Sequence, residues 1–321
     1  MEKSILGIDV SKKELVVVLL TNNKKKESTF SNDQEGCKQL HKWIQKVETN
    51  KVLACAEATG QYSEKVAEYL YSKGYEVSIV NPFCIKSYSN SILARHKNDQ
   101  VDAFVIAKYA QLHNVPLYKP KDPVIKELQY LYRCLQDLKN MRTQVGNHLE
   151  SEVPRSVSNT WESVLKEIEE RIISIEENIK QIIFESSELL EHYNNLQSIP
   201  GISKITAVAI LAEVPDVSSF RNARQLAAYA GLTPKHRLSG SSLKGKSRIS
   251  KIGSGILRKA LYFPAVAAKR HNPVIKLFCE KLDEKGKNIM AIICAAMRKL
   301  IHIIYGVLKS KKPFDKNLIT T

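Results

Sequence analysis

Cysteines are few in this sequence, and none is arranged as a zinc ligand or as part of a disulfide framework. Six are spread over 321 residues, without a C-x-x-C pair and without histidines at zinc-finger spacing. Most lie in apolar patterns such as LACAE and AIICAAM. This usage predicts buried, reduced thiols and a cytoplasmic protein.

Long hydrophobic runs are also missing. No apolar stretch reaches the roughly 20 residues that a membrane-spanning helix needs. The longest, at residues 289–308, is interrupted by Arg298, Lys299 and His302. The opening MEKSILGIDV mixes charges and leads at once into a strand pattern, which does not resemble a signal peptide. We therefore predict no membrane partner.

Acidic residues are scarce relative to basic ones. The chain has 33 Asp and Glu against 49 Lys and Arg, a net charge of +16. Residues 235–259 contain eight Lys or Arg and no acid. Because a solvated face usually mixes signs, this segment predicts contact with a nucleic-acid backbone. The predicted contact residues are Lys235, Arg237, Ser241, Lys244, Lys246, Arg248 and Lys251.

Residues 1–120 alternate strand and helix patterns and predict a mixed α/β domain. Two or three strands capable of antiparallel pairing come first, with KKESTFS at an edge, and helices and strands then alternate. Residues 121–192 instead carry apolar residues at heptad spacing, first over 124–138 and again over 165–182. That pattern predicts an antiparallel helical hairpin or a dimerising coiled coil, and two ordinary bundle helices fit it equally well.

Residues 193–321 are predicted to form a third, mostly α-helical domain. Its start, LQSIPGISKITAVAILAEV, resembles a helix-hairpin-helix, whose glycine turn and helix N-terminus suit a phosphate. A turn that only packs two helices together fits the sequence equally well. Further on, 240–247 fits G-x-x-x-x-G-K-[ST] letter for letter. A P-loop must leave an apolar strand and enter a helix, and neither flanks this segment, so we interpret the match as accidental.

Four carboxylates stand where strands end or a helix begins. Asp9 and Glu57 end apolar strand patterns, and Asp99 and Asp102 share one face of a following helix. Each alone has an ordinary explanation as a turn cap, a strand end, a helix N-cap or a surface charge. Together they predict a site for Mg²⁺ or Mn²⁺, which prefer oxygen ligands and serve phosphoryl transfer in pairs.

These motifs resemble a known family. GIDVSKKELVV, EATGQY and HKNDQVDA are similar to the three acidic motifs of the RuvC-like domain in DEDD transposases of bacterial insertion sequences, which include the Piv-type DNA invertases. SIPGISKITAVAILAEV, FRNARQLAAYAGLTPKHRLSG and ISKIGSGILRKALYFPA resemble their C-terminal transposase domain. One departure is Asn98, where the family often has threonine.

The resemblance implies an RNase H-like (RuvC-like) N-terminal domain in which Asp9, Glu57, Asp99 and Asp102 bind Mg²⁺. It also implies a nucleophilic serine from an R-x-S-G motif, here Ser239, which attacks a DNA phosphodiester and forms a phosphoserine link. We favour Ser239 over Ser241 or Ser242 because the assignment follows the motif. Family members studied in most detail use a non-coding bridge RNA that pairs with donor and target DNA. They act as homodimers that assemble into tetramers, on bacterial nucleoid DNA.

Two other functions remain open from the residues alone. A nuclease of the Holliday-junction resolvase type would use the same carboxylates with water as nucleophile. A non-catalytic nucleic-acid-binding protein on a degenerate RNase H fold would tolerate substitution of all four.

Overall fold

The computed structural model describes residues 3–21, 24–47, 51–92, 98–152, 154–214, 216–235, 238–239, 243–244 and 248–317, with side chains described outside 236–248. The chain forms two compact units that divide between Pro120 and Lys121. The second unit contains both the long helices and the C-terminal region. The predicted boundary between domains at 192 and 193 stays a prediction.

A five-stranded mixed sheet forms the centre of the first unit, in the order β3-β2-β1-β4-β5. The strands are β1 (Ser4–Val10), β2 (Glu14–Leu20), β3 (Lys25–Ser31), β4 (Val52–Glu57) and β5 (Glu76–Val80). The first three pair antiparallel, and β4 and β5 continue parallel to β1. Burial runs almost unbroken along β1, β2 and β4 and alternates only along β3, which confirms the predicted mixed sheet with β3 at its edge.

Helices cover both faces of this sheet. On one face α1 (Gln34–Val47) and α2 (Gln61–Ser72) pack against Leu6, Ile8 and Val10 of β1. On the other, α3 (Pro82–Ser91) and α4 (Asp99–Leu112) pack against Ile5 of β1 and against β2. Odd-numbered residues of β1 therefore face α4. Because side chains alternate between the two faces of a strand, this pattern also determines which face the polar residue at the strand end occupies.

The second unit opens with two long helices, α5 (Pro123–Leu149) and α6 (Arg155–Glu185). Lys139 of α5 pairs with Glu176 of α6 at 2.7 Å, and His148 stacks on Trp161 with ring centroids 4.9 Å apart. The second pair lies closer together in sequence than the first and nearer the turn, so the two helices run antiparallel as a hairpin. Its buried seam contains heptad residues of both helices, Leu128, Leu135, Ile172 and Ile179. An antiparallel hairpin is one of the three arrangements that the heptad spacing left open.

Shorter helices complete the second unit: α7 (Ser187–Gln197), α8 (Lys204–Glu213), α9 (Ala223–Tyr229), α10 (Gly255–Ala260), α11 (Tyr262–His271), α12 (Pro273–Glu284) and α13 (Ile289–Ser310). A 3-10 turn lies at Val217–Ser219. By length and composition α13 is the one helix in the described ranges that meets the criteria for a membrane span, but 61% of its apolar window is buried inside the unit. It therefore serves as a core helix here.

The turn between α7 and α8 is packed against protein. Gly201 has φ +103°, and a Cβ there would lie 2.9 Å from the Pro264 carbonyl oxygen and 2.8 Å from the Ala268 Cβ of α11. The glycine thus permits both the backbone conformation and a close helix approach. Of the two interpretations from sequence, packing accounts for this glycine.

The basic segment forms two short antiparallel ribbons, which the sequence analysis did not foresee. β6 (Pro234–Lys235) pairs with β9 (Arg248–Ile249), and between them β7 (Leu238–Ser239) pairs with β8 (Leu243–Lys244). A strand inside the 240–247 pattern is incompatible with a single phosphate-binding loop, which supports treating the P-loop match as accidental. The expectation of buried cysteines holds for Cys37, Cys55 and Cys279, whereas Cys84 and Cys294 are partly buried and Cys134, on the outer face of α5, is exposed.

Candidate active site

Two carboxylates stand side by side at the carboxyl edge of the sheet. β1 and β4 are parallel, with Ile8 aligned to Ala56, so Asp9 and Glu57 follow as the next pair in register. Asp9 shares the strand face of Ile5, and Glu57 shares that of Leu53, the face covered by α3 and α4. Register and alternation together place both side chains on the side of the sheet where α4 lies.

The helix α4 brings the other two carboxylates to this edge. Its N-cap is Asn98, whose Oδ1 accepts a hydrogen bond from the Val101 N–H at 2.7 Å, so Asp99 is not the cap. Asp99 and Asp102 occupy its first turn, where the helix dipole favours negative charge. Asparagine is as good an N-cap as threonine, so the departure from the family pattern keeps the helix start intact.

Gly7 sets how closely α4 approaches the sheet. A Cβ built on Gly7 would lie 2.6 Å from the Ala107 backbone nitrogen and closer still to the Ala103 carbonyl oxygen. Only a residue without a side chain allows the helix backbone to rest on β1 at this point. Gly7 is two residues from Asp9, and Ala103 follows Asp102, so this contact sets the distance between their two elements.

The electrostatics show that Asp9 feels the other three carboxylates. The pKa of Asp9 is raised from 3.8 to about 6, first by burial and then by the negative charges of Asp102, Asp99 and Glu57 in that order of effect, while a hydrogen bond from the Val10 N–H lowers it. Every charged side chain that perturbs Asp9 appreciably is thus a carboxylate. Like charges held together in a partly buried site favour a bound cation.

The four carboxylates fit a divalent metal by donor type and by charge, but their side chains do not surround a common ion position. Across the described residues, no three Asp, Glu, His or Cys side chains come close enough to hold a common ion. Carboxylate oxygens are the ligands that Mg²⁺ and Mn²⁺ prefer. A cation at this edge would draw the carboxylates inward and relieve the repulsion that raises the pKa of Asp9.

The predicted nucleophile, Ser239, lies in the second unit. It is the last residue of β7 and pairs with Leu243 of β8. Gly240 follows it directly in the sequence. The base of the ribbon is anchored to the unit: the Ser250 N–H donates to the Thr233 carbonyl oxygen at 2.8 Å, and the Arg258 guanidinium donates to the Ala230 carbonyl oxygen at 3.1 Å.

The predicted nucleic-acid contacts belong to the same ribbon. Lys235 is exposed on β6, and Lys251 is exposed just beyond β9. Lys244 and Arg248 are located by their backbones, in β8 and β9. The remaining predicted contacts, Arg237, Ser241 and Lys246, lie outside the described residues. Arg258, also part of the basic segment, spends its hydrogen bonds on backbone carbonyls and so has a structural role.

Sequence reasoning missed two residues that support these elements. Gly7 has only a weak signal, a glycine inside an otherwise apolar strand. Glu213, at the end of α8, is 2% exposed and accepts from Arg133 Nε at 2.7 Å and Nη2 at 2.9 Å. This buried pair ties α5 to α8, and no spacing rule connects two residues that far apart in sequence.

Comparisons with known proteins identify the family of this chain. A family model described as a transposase, of the DEDD IS110 type, matches residues 6–155, and one described as Transposase IS116/IS110/IS902 family matches residues 193–280. The chain is 35% identical to the pilin gene-inverting protein of Moraxella bovis, over 99% of each chain. It is 28% identical to the transposase for insertion sequence element IS1111A of Coxiella burnetii, over 68% of this chain and 65% of that one.

Among solved structures, T. thermophilus RuvC in complex with a Holliday junction substrate aligns with 36% of this chain and 99% of its own, at 13% identity and a TM-score of 0.26. The family assignment rests on the sequence matches. Two family models in succession, and a relative matched over 99% of each chain, show that this protein belongs to the IS110-type DEDD transposases and that it is an enzyme of DNA transposition, built from a mixed-sheet α/β domain followed by a largely helical region.

Proposed function

We propose that this transposase cleaves and rejoins DNA with a divalent metal held by Asp9, Glu57, Asp99 and Asp102, and with Ser239 as nucleophile. The observation that carries the proposal is that Glu57 of β4 and Asp99 and Asp102 of α4 all raise the pKa of Asp9 on β1. Bound Mg²⁺ or Mn²⁺ would supply electrostatic stabilisation of the charge that develops on the transferring phosphoryl group.

The chain's own residues account for the remaining chemistry. In the proposed step the Ser239 oxygen forms a bond to phosphorus and one ester bond to deoxyribose breaks. The serine proton passes to a base, and the departing sugar oxygen takes up a proton. The strand is then held as a phosphoserine, and attack by a sugar hydroxyl reverses the step and joins new ends.

Ser239 is supported by its position at the end of β7, within a cationic segment that stabilises phosphoryl charge. The decisive experiment compares single substitutions in the full chain on a DNA substrate. Ser239→Ala is expected to abolish the covalent protein–DNA adduct and strand exchange while DNA binding persists. Ser241→Ala and Ser242→Ala serve as matched controls and keep the adduct.

Each alternative has a distinct outcome in that experiment. Strand cleavage that survives Ser239→Ala would indicate water as nucleophile, as in a resolvase-type nuclease. Recombination that survives Asp102→Asn would indicate that the carboxylates do not act in catalysis. If Ser241→Ala lost the adduct and Ser239→Ala kept it, the nucleophile would be Ser241 instead of Ser239. Membership in a transposase family already counts against a non-catalytic function.

We further propose that a non-coding guide RNA directs the enzyme to donor and target DNA, since base pairing then supplies the sequence specificity. Support comes from the family resemblance and from a net charge of +16. Expression together with the flanking non-coding DNA is expected to yield protein with a discrete bound RNA. Protein that recombines DNA after complete RNase treatment would disprove the guide.

We also propose a homodimer that forms homotetramers in the bacterial cytoplasm. The α5–α6 hairpin buries its heptad seam within one chain, yet Ile173 and Phe184 of α6 remain 57% and 58% exposed. Large exposed apolar side chains on a long helix suit contact with a second copy. Light scattering of the wild type and of Ile173→Glu tests this, and a monomeric wild type at micromolar concentration would contradict it.

A further inference from the structure

The second unit contains a cavity to which the active site assigns no role. Its volume is about 640 Å³, and its walls come from α5, α8, α10 and α11. Ligand pockets in proteins typically span about 300–1,000 Å³, so a single nucleotide or a molecule of similar size fits. The cavity lies wholly inside one compact unit.

An exposed aromatic ring stands at the mouth of this cavity. Phe263 of α11 is 77% exposed, the highest exposed fraction among the large hydrophobic side chains described. Its ring meets Tyr262 edge to face, with centroids 5.3 Å apart. Deeper in, Ala209 and Pro264 are buried and form an apolar wall. A flat ring beside an apolar recess offers one stacking face for a planar heterocycle.

Polar groups surround the same recess. Gln136 and Asn140 of α5 carry amides that both donate and accept, and Ser203 at the start of α8 adds a hydroxyl. Lys259 contributes an exposed ammonium, and Asp137 is the carboxylate in the lining. Amides and a carboxylate match the hydrogen-bonding edge of a base, whereas an ammonium matches a phosphate.

The cavity adjoins the end of the basic segment 235–259. Lys259 is the last cation of that segment, lies four residues before Phe263 and lines the cavity with it. A strand whose phosphates contacted this segment would have a cation beside the cavity at Lys259. Strand cleavage and exchange pass through unpaired bases, and aromatic stacking beside cations is how proteins hold such bases.

We propose that this cavity binds one unpaired nucleotide of a DNA strand, with its base against Phe263 and its phosphate toward Lys259. The site is separate from the proposed metal and serine chemistry and holds a strand rather than cutting it. Stacking of this kind loses about tenfold or more in affinity when the aromatic residue is replaced by alanine.

The test measures binding of the full chain in EDTA to a single-stranded oligonucleotide and to the duplex of the same sequence. Phe263→Ala is expected to weaken single-strand binding about tenfold and to leave duplex binding unchanged, while Phe263→Trp retains both. Ala267→Phe, which fills the cavity wall, is expected to act like Phe263→Ala. Leu277→Ala removes an exposed apolar side chain of α12 outside the cavity and should change neither affinity.

A fluorescent adenine analogue in the single strand reports the base directly. We expect quenching by the wild type and Phe263→Trp and none by Phe263→Ala. The proposal would be overturned if Phe263→Ala and Ala267→Phe bound the single strand as tightly as the wild type, or lost as much affinity for the duplex as for the single strand. Loss of self-association instead of DNA affinity, or a preference of at least tenfold for single-stranded RNA over single-stranded DNA, would also overturn it. Because metal is absent and Ser239→Ala can serve as background, failure here is distinct from failure of the catalytic proposal.

Discussion

Replacement of Gly7 by alanine tests how the active site is assembled. Gly7 lies in the buried strand β1, and the α4 backbone rests directly on it at Ala103 and Ala107. The substitution adds one methyl group and changes no charge, no metal ligand and no predicted nucleic-acid contact. Any loss of activity must therefore come through the position of α4 and of the two aspartates in its first turn.

The size of the displacement follows from the contacts. The new Cβ would lie 2.6 Å from the Ala107 nitrogen, whereas ordinary contact begins at 3.4 Å. These neighbours are backbone atoms of a helix, so the strain cannot be relieved by rotating a side chain. We expect α4 to recede by about 1 Å, with a stability loss of about 1–3 kcal/mol from overpacking. A misplacement of about 1 Å in a catalytic group costs roughly 100-fold in rate.

The assay combines strand cleavage or recombination, DNA affinity and thermal unfolding on purified full-length protein. Gly146→Ala is the matched control, because a Cβ there meets nothing within 4 Å and the glycine lies inside α5. That control should keep full activity and gain roughly 0.5–1 kcal/mol of stability. Gly7→Ala should stay folded at assay temperature, bind DNA as the wild type does, and require more Mg²⁺ for half-maximal activity.

Wild-type cleavage by Gly7→Ala at wild-type Mg²⁺ concentration would refute the reasoning. It would mean either that α4 does not approach β1 this closely or that Asp99 and Asp102 have no role in the reaction. A loss of DNA affinity in parallel with activity would also count against it, because the predicted DNA contacts lie in the second unit.

Three further predictions concern charge. The pKa of Asp9 is raised from 3.8 to about 6, so its ionisation destabilises the metal-free fold as pH rises through that window. In EDTA, Asp9→Asn should therefore stabilise the protein by about 1 kcal/mol at pH 7–8, after discounting for partial exposure, and should have no effect below about pH 4. A gain in thermal stability that does not depend on pH would disprove this. Arg133→Ala leaves the buried Glu213 carboxylate without its guanidinium partner. Because Arg133 is 43% exposed, we expect the free energy of unfolding in urea to fall by about 2–3 kcal/mol, less than for a fully buried pair. A decrease under about 0.5 kcal/mol would contradict a stabilising role for this pair. Lys235→Gln combined with Lys251→Asn, the latter chosen because Lys251 has φ +58°, should lower the slope of log affinity against log salt by about 2, and an unchanged slope would show that both cations face solvent.

Local patterns in the sequence were sufficient for the elements that carry the site. Apolar runs predicted four strands of the first unit and left the edge strand β3 as a possibility, and heptad spacing predicted the two long helices α5 and α6 without deciding how they pair. These predictions succeeded because burial imposes a period on residues that are neighbours in sequence. The sequence did not predict the two basic ribbons, because their strands are only two residues long and give no periodic pattern.

By itself, the sequence determined the identity of the four acidic residues, their places at strand ends and on a helix face, and the cationic segment around Ser239. The tertiary structure decided that Asp9 and Glu57 are adjacent and share a face, because this depends on the register of β1 against β4. It also decided that Asp99 and Asp102 lie near enough to raise the pKa of Asp9, because α4 packs directly on Gly7. Register and helix approach are contacts between distant parts of the chain, so no local periodicity encodes them.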